Sequence, residues 1–282
     1  MRSASAGKSK KLTSAFIETA RSLALQAADR LMELRSSPLI RRRKPDHSLV
    51  TNADQEADRI IRQGLKRAFS NHSILTEESG LSGPADAEYL WVVDPLDGTT
   101  AYAKGIPGFS VMVGLLKRGL PWAGVVVDPL EGHCYEAVKG EGAYHTVNGI
   151  RKQVHVSLRR DIEDMPVITS TGFPAETEKA LRKTLPGPWI PAINSVGIKV
   201  GVLVRQLADI YINHHRVHYW DTCAPQIILE EAGGELTYLD GTPIRYELAD
   251  PGARHAGPTL ATNKTRHQDV LHLLAAAKPP LL

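Results

Sequence analysis

The chain has 282 residues, 42% hydrophobic and 23% charged, which is enough for a substantial core and for one large domain or two coupled ones. Its formal charge of +3 gathers at one end, since residues 1–50 hold eleven Lys/Arg against four Asp/Glu and the rest is net acidic; this excludes a basic nucleic-acid face spread over the fold. Cys134 and Cys223 make neither a disulfide framework nor a zinc motif, no apolar window is long enough to span a membrane, and the basic start MRSASAGKSKK leads into no export-type apolar stretch, so a cytoplasmic protein is expected.

From Thr13 to Arg35, the residues Phe16, Ile17, Ala20, Leu23, Ala24, Ala27, Leu31 and Leu34 recur at three-to-four spacing, which predicts an amphipathic helix. A basic link, SSPLIRRRKPDHS, follows. Its RRRK run could attract a polyphosphate or RNA, but without aromatics to stack bases it reads more simply as a solvated loop. A second helical pattern, Ala57, Ile60, Ile61, Leu65, Ala68 and Phe69, opens after Thr51 and Asn52, either of which can cap it. Asp54 then falls in or near the first turn.

SILTEES and EYLWVVDPLDG are short apolar runs that stop in acidic residues, and strands of this kind deliver carboxylates to one edge of a sheet. Between Phe109 and Tyr144, apolar runs are split by Lys117-Arg118-Gly119, by Asp128 to Gly132 and by Gly140-Glu141-Gly142, which predicts an antiparallel meander. From about Val154 the rhythm alternates. Strand MPVITST, helical ETEKALRKTL and SVGIKVGVLVRQL, and strand ADIYIN come first; helical DTCAPQIILEEA stopped by Gly233-Gly234, strand ELTYL and a helix around Gln268 to Ala277 follow. The expected organisation is residues 1–155 as helices on an antiparallel sheet and residues 156–282 as an α/β half.

In DPLDG, Asp94 and Asp97 stand three apart across what reads as a Pro-stiffened turn after the apolar run LWVV. Two carboxylates brought together there repel and lose hydration, so a cation is expected between them. Hard oxygen ligands suit Mg²⁺, and the Leu96 carbonyl lies between the two acids. Gly98-Thr99-Thr100 follows, and a helix starting there presents free N–H groups to an anion. Carboxylates beside a phosphate cradle make a phosphoryl-transfer site, with Glu77, Glu78 and Asp221 as further acids. Taken singly these signals are weak: an isolated D-P-x-D-G is most often a type I turn, Glu77-Glu78 a solvated strand end and Asp221 a helix cap. A near-copy, VVVDPLEGHC from Val125 to Cys134, joins two apolar-rich strands without a Thr-Thr or acidic partners, and reads as a hairpin turn around Asp128.

Together, and in this order, TEESG, WVVDPLDGTT and WDTCAPQIILEEAGG resemble the three motifs of the inositol monophosphatase superfamily, the Mg²⁺-dependent, lithium-inhibited phosphomonoesterases. The resemblance covers about residues 12 to 277. It implies a mixed α/β fold, a layered αβαβα sandwich with the metal site between its halves. By motif position it implies that Glu77, Asp94, Asp97, Asp221 and the Leu96 carbonyl hold two or three Mg²⁺. Thr99 paired with Asp54 of VTNAD would orient or deprotonate the attacking water, with Glu77 also counted among the catalytic groups. Gly98, Thr99 and Thr100 would bind the phosphate. Direct in-line attack by water, without a phosphoenzyme, is the implied chemistry.

Within the superfamily, WDTCAP before an apolar helix looks most like the branch that holds 3′(2′),5′-bisphosphate nucleotidase. Lys199 falls where nucleotidases carry a lysine, and a cation there suits a second phosphate; the bland reading is a helix-surface lysine. Thr169 and Ser170, at the end of PVITST, are expected to contact substrate together with Asp221, although Thr171-Gly172 stands where nucleotidases show a Ser-His pair. The expected partner is a small phosphorylated substrate such as 3′-phosphoadenosine 5′-phosphate, with no membrane or nucleic acid and a homodimer left open. An inositol monophosphatase or sugar phosphatase is the alternative within this chemistry. A non-catalytic phosphate-binding regulatory protein is the alternative of another class, and the completeness of Glu77, Asp94, Asp97, Thr99 and Asp221 speaks against it. His214, His215 and His218 crowd the approach to Asp221 and read as a pocket rim or plain loop rather than a zinc site, since strand spacing does not point all three one way.

Overall fold

A computed structural model describes residues 2–36, 40–43, 49–247 and 252–277, the first helix by its backbone alone up to residue 13. The first elements are α1 (Arg2–Arg35), β1 (Arg41–Arg43), β2 (Leu49–Thr51), α2 (Asn52–Ala68), β3 (Ser73–Thr76), β4 (Gly80–Ser82), β5 (Tyr89–Asp97) and α3 (Thr99–Ala103). The meander follows as β6 (Ser110–Lys117), β7 (Leu120–Asp128), β8 (His133–Val138), β9 (Gly142–Val147) and β10 (Ile150–Val154). The last stretch holds β11 (Val167–Thr169), α4 (Ala175–Thr184), α5 (Val196–Val204), β12 (Ile210–Asn213), α6 (Tyr219–Glu231), β13 (Glu235–Tyr238), β14 (Thr259–Thr262) and α7 (His267–Ala277).

An eight-stranded sheet runs β10-β9-β8-β7-β6-β5-β3-β4, antiparallel except where β3 meets β5. A four-stranded sheet runs β11-β12-β14-β13, with β11 and β12 parallel. On one face of the large sheet, Phe16, Ala24 and Leu31 of α1 and Ile61 and Leu65 of α2 pack against Trp91, Val93, Val113 and Val125. On the other, Leu90, Val92, Met112 and Val126 meet Ile198 and Val202 of α5 and Ile227 and Ile228 of α6, which reach Tyr211 and Ala261 of the smaller sheet. Leu181 of α4 and Leu271 and Leu274 of α7 close the far face over Val167, Ile210 and Leu260. The layers are therefore αβαβα. Because β5 is covered on both faces, it is written as a continuous apolar run rather than an alternating one. Each such side chain, fully buried, contributes about 1.5–3 kcal/mol.

Among the elements that differ from the sequence reading are the following three. α1 begins at Arg2 rather than Thr13; RSASAGKSKKL holds no proline, and extending an existing helix needs no new nucleus. The RRR of the basic link is an exposed strand, antiparallel to β2 with Arg41 opposite Thr51, while residues 37–39 and 44–48 of that link lie outside the described ones. Strand β14, TLAT, was not anticipated, being short and without apolar alternation, yet it sits between β12 and β13.

Candidate active site

The register of β5 breaks where the acids sit: Asp94 stands opposite Met112 and Asp97 opposite Ser110, so three steps along β5 span two along β6. The expected turn is a bulge inside a strand. In a regular strand, residues three apart point to opposite faces; the extra residue removes that alternation and lets both carboxylates serve one side. The third acid comes from α6, and carboxylate oxygens of Asp94, Asp97 and Asp221 lie within 4.8 Å of one another. Two glycines let α6 come that close. A Cβ on Gly114 of β6 would stand 2.5 Å from Cys223 Sγ, and one on Gly124 of β7 would stand 2.7 Å from Ile227 Cγ2.

Each acid has one oxygen tied back. Asp94 Oδ1 accepts from Leu96 N at 3.0 Å, and Asp221 Oδ2 from His218 N at 2.6 Å. Asp97 Oδ2 accepts from Ser195 Oγ at 2.6 Å, Gly197 N at 3.1 Å and Ser110 Oγ at 3.3 Å. Among the described residues, no hydrogen bond engages the other oxygen of any of the three. Burial holds Asp94 well above the ordinary carboxylate range, and the charges of Glu77, Asp97 and Asp221 add to it. Asp221 is raised likewise, by burial and then by Asp97. Asp97 is also raised by burial, though the Ser195 hydrogen bond and the Lys199 charge pull it back. Buried, mutually repelling acids with free oxygens fit a hard divalent cation, and an all-oxygen set of this kind suits Mg²⁺. Glu77 lines the same cavity and its charge acts on Asp94 and Asp221, but it stands apart from the tight group of three.

Thr51 caps α2, and Asp54 three residues later completes a reciprocal capping box. Asp54 Oδ2 accepts from Thr51 N at 2.8 Å and Thr51 Oγ1 at 2.6 Å. Its Oδ1 faces Thr99 Oγ1 at 2.9 Å, and the same hydroxyl lies 3.1 Å from the Leu96 carbonyl oxygen. Burial raises Asp54 despite these bonds. Thr99 opens α3 directly after Gly98, whose φ of 88° lies in the left-handed region and whose added Cβ would collide with the Gly108 carbonyl oxygen. The first turn leaves the N–H groups of Thr99 and Thr100 without intrahelical acceptors.

A cavity of about 860 Å³ is lined by Glu77, Asp94, Leu96, Asp97, Gly98, Thr99, Thr100 and Asp221, and also by Ser170, Thr171 and Asn194. Asp54 reaches it through Thr99. Five exposed cations that the sequence reading passed over or left as loop also line it: Arg41, Arg43, Lys104, Arg216 and Arg254. His215 and His218 belong to the rim, whereas His214 does not line the cavity and packs on Phe173 with ring centroids 4.5 Å apart.

Two expected substrate contacts are placed elsewhere. Thr169 is buried inside β11 and does not line the cavity, because the chain emerges there only after the strand end, at Ser170 and Thr171. Lys199 is 0% exposed, and its Nζ donates to Ser170 Oγ at 3.0 Å, Ile193 O at 2.9 Å and Asn194 O at 2.8 Å. All three of its protons are taken, so it offers none to a second phosphate. The second DPL[DE]G does form a hairpin turn: Asp128 Oδ1 accepts from Leu130 N at 3.0 Å and Glu131 N at 3.1 Å between β7 and β8. Ser110, Ser195 and Gly197, which orient Asp97, were not singled out from sequence; the Ser195 cap before an apolar helix was the available signal.

Residues 12–276 match the inositol monophosphatase family. The chain belongs to that family. This family member is 33% identical to the histidinol-phosphatase of Mycobacterium tuberculosis over 263 residues, covering 90% of the chain and 97% of the relative. It is 32% identical to the chloroplastic phosphatase IMPL1 of Arabidopsis thaliana over 274 residues, covering 93% of the chain and 70% of the relative. The solved inositol monophosphatase of Anabaena (Nostoc) sp. PCC 7120 superposes with a TM-score of 0.75 at 30% identity, covering 94% of the chain and 97% of that structure. The chain is accordingly an inositol monophosphatase family phosphatase with the mixed α/β fold of that family. Among the described residues no helix is long and apolar enough to cross a membrane.

Proposed function

We propose that the chain is a cytoplasmic, Mg²⁺-dependent phosphomonoesterase acting on 3′(2′),5′-bisphosphates such as 3′-phosphoadenosine 5′-phosphate. The observation that carries the reading is the charge of one cavity, whose lining holds five cations, Arg41, Arg43, Lys104, Arg216 and Arg254, besides its four acids. A second phosphate, beyond the one served by the acids, would find charge-assisted contacts among these cations.

Glu77, Asp94, Asp97, Asp221 and the Leu96 carbonyl would hold two or three Mg²⁺, which when bound supply charge for the phosphoryl oxygens and acidify the attacking water. Thr99 Oγ1 gives its proton to Asp54 Oδ1, so its lone pairs face the cavity and accept from that water, fixing its direction of attack. Asp54, made more basic by burial, is the proton's destination. Gly98, Thr99 and Thr100 present N–H groups to the phosphate, and Arg216 and Arg254 hold the distal one. Ser170, Thr171 and Asn194 face the leaving group. The reading includes no membrane or nucleic-acid partner and leaves room for a homodimer. The names of the relatives favour a second reading, a small monophosphate such as an inositol phosphate or histidinol phosphate, served by the same acids.

Phosphate release from adenosine bisphosphates, inositol 1-phosphate, histidinol phosphate and fructose 1,6-bisphosphate, with Mg²⁺ and with added lithium, tests this. We expect 3′-phosphoadenosine 5′-phosphate to lead in kcat/KM by about tenfold or more, and Arg216→Ala to remove about that factor, the size of one charge-assisted contact. A monophosphate with the higher kcat/KM would overturn the substrate assignment.

A further inference from the structure

The least explained charge in the molecule is Lys199. It is one of the largest fully buried side chains, at 0% exposure, on a helix with eight of nine residues buried. Its three hydrogen-bond partners are a hydroxyl and two backbone carbonyls, all neutral. An ammonium taken out of water without an ion-pair partner is strongly disfavoured unless the surrounding field compensates for it.

That field comes from the acids. The segment that Lys199 grips is the one that grips Asp97: Nζ holds the carbonyls of Ile193 and Asn194, while Ser195 Oγ and Gly197 N donate to Asp97 Oδ2. Burial brings the lysine down to about 8, even though the negative charges of Asp97 and Asp221 favour its charged form and partly offset that burial. Lys199 in turn makes both carboxylates easier to ionise.

We propose that Lys199 is a positioning residue that acts as the resident counter-cation of the carboxylate cluster, tempering its affinity for a divalent cation. The inference rests on the reading that Asp94, Asp97 and Asp221 hold Mg²⁺. A fixed positive charge repels an incoming one through the same interior that makes it useful when the cluster is bare. Mg²⁺ is thereby held loosely enough to exchange.

The sign of the effect separates this role from a merely structural one. Lys199→Gln keeps N–H donors for the Ile193–Asn194 carbonyls without the charge, and Lys199→Met keeps the length without either. Mg²⁺ binding to the purified, EDTA-stripped protein is measured by titration calorimetry and, independently, by the Mg²⁺ dependence of thermal melting. We expect Lys199→Gln to bind Mg²⁺ about five- to tenfold more tightly than the wild type, the low end of a typical coupling between sites, and Lys199→Met to tighten binding wherever it remains folded. Unchanged or weaker binding in Lys199→Gln would overturn the counter-cation role, because a lysine that only braces the loop can only loosen the site when lost. Absence of Mg²⁺ binding in the wild type would instead fault the metal site itself.

Discussion

Replacing Asp94 by Asn should make the metal-free protein more stable while destroying its response to metal. Two unit charges at 4.8 Å, the outer limit for the oxygens of Asp94, Asp97 and Asp221, repel by roughly 3.5 kcal/mol at an effective dielectric near 20. Part of that repulsion is already relieved by proton uptake, which is what the raised Asp94 expresses. The net recovery expected from the amide is therefore about 1–3 kcal/mol, or about 2–8 °C in Tm for a chain of this size. The local geometry survives, since the amide oxygen can still accept from Leu96 N, now at 3.0 Å. Melting curves in EDTA and in Mg²⁺ provide the assay. The wild type should gain several degrees on Mg²⁺ addition and the variant almost nothing, with kcat down at least about a hundredfold. A variant that melts below the wild type in EDTA, or that gains as much from Mg²⁺, would refute the view of these acids as a strained cation site.

Asp128→Asn, in the near-copy of the motif, should leave kcat/KM within about twofold, because an amide oxygen can accept the Leu130 and Glu131 N–H groups as the carboxylate does; a hundredfold loss would mean the hairpin takes part in chemistry. The metal-free protein should also lose stability as pH rises. Asp94 and Asp221 are raised well above 3.8, so the folded chain retains protons that the unfolded chain releases. Their contribution is full below the unfolded value and is lost as pH climbs through the folded ones. Melting in EDTA at pH 5 and pH 8 should show a larger fall for the wild type than for Asp94→Asn, and equal slopes would count against the raised values.

The layers were legible because helix and strand periods survive packing: Phe16 to Leu31 at helical spacing and the unbroken LWVV of a doubly covered strand both report burial directly. The acids were legible as residues but not as geometry. Nothing in DPLDG distinguishes a turn from a bulge, which is decided by the pairing of Asp94 with Met112 and Asp97 with Ser110, far along the chain. Lys199 is expected at a second phosphate by its likeness to the nucleotidase lysine, and both that reading and the bland one of a helix-surface lysine leave its ammonium accessible. VGIKVGVLV carries apolar residues all round, so its helix has no solvent face on which a lysine could stand. Of the cationic lining, Arg41 and Arg43 stand in the RRRK run that can attract a polyphosphate, whereas Lys104, Arg216 and Arg254 come from separate segments and carry no local pattern.

The two oxygens of Asp54 answer to different parts of the molecule, Oδ2 to the cap of α2 and Oδ1 to Thr99. Fraying of that helix end and release of the Thr99 hydroxyl, proposed above to orient water, are consequently one event, since a first turn that opens takes Oδ1 with it. A substitution at Asp54 reports folding and chemistry mixed together, whereas Thr99→Ala separates them. On the proposed mechanism the same bond would tie catalytic competence to the local stability of the α2 start, beside the β1–β2 pair, so that whatever steadies that pair should steady turnover.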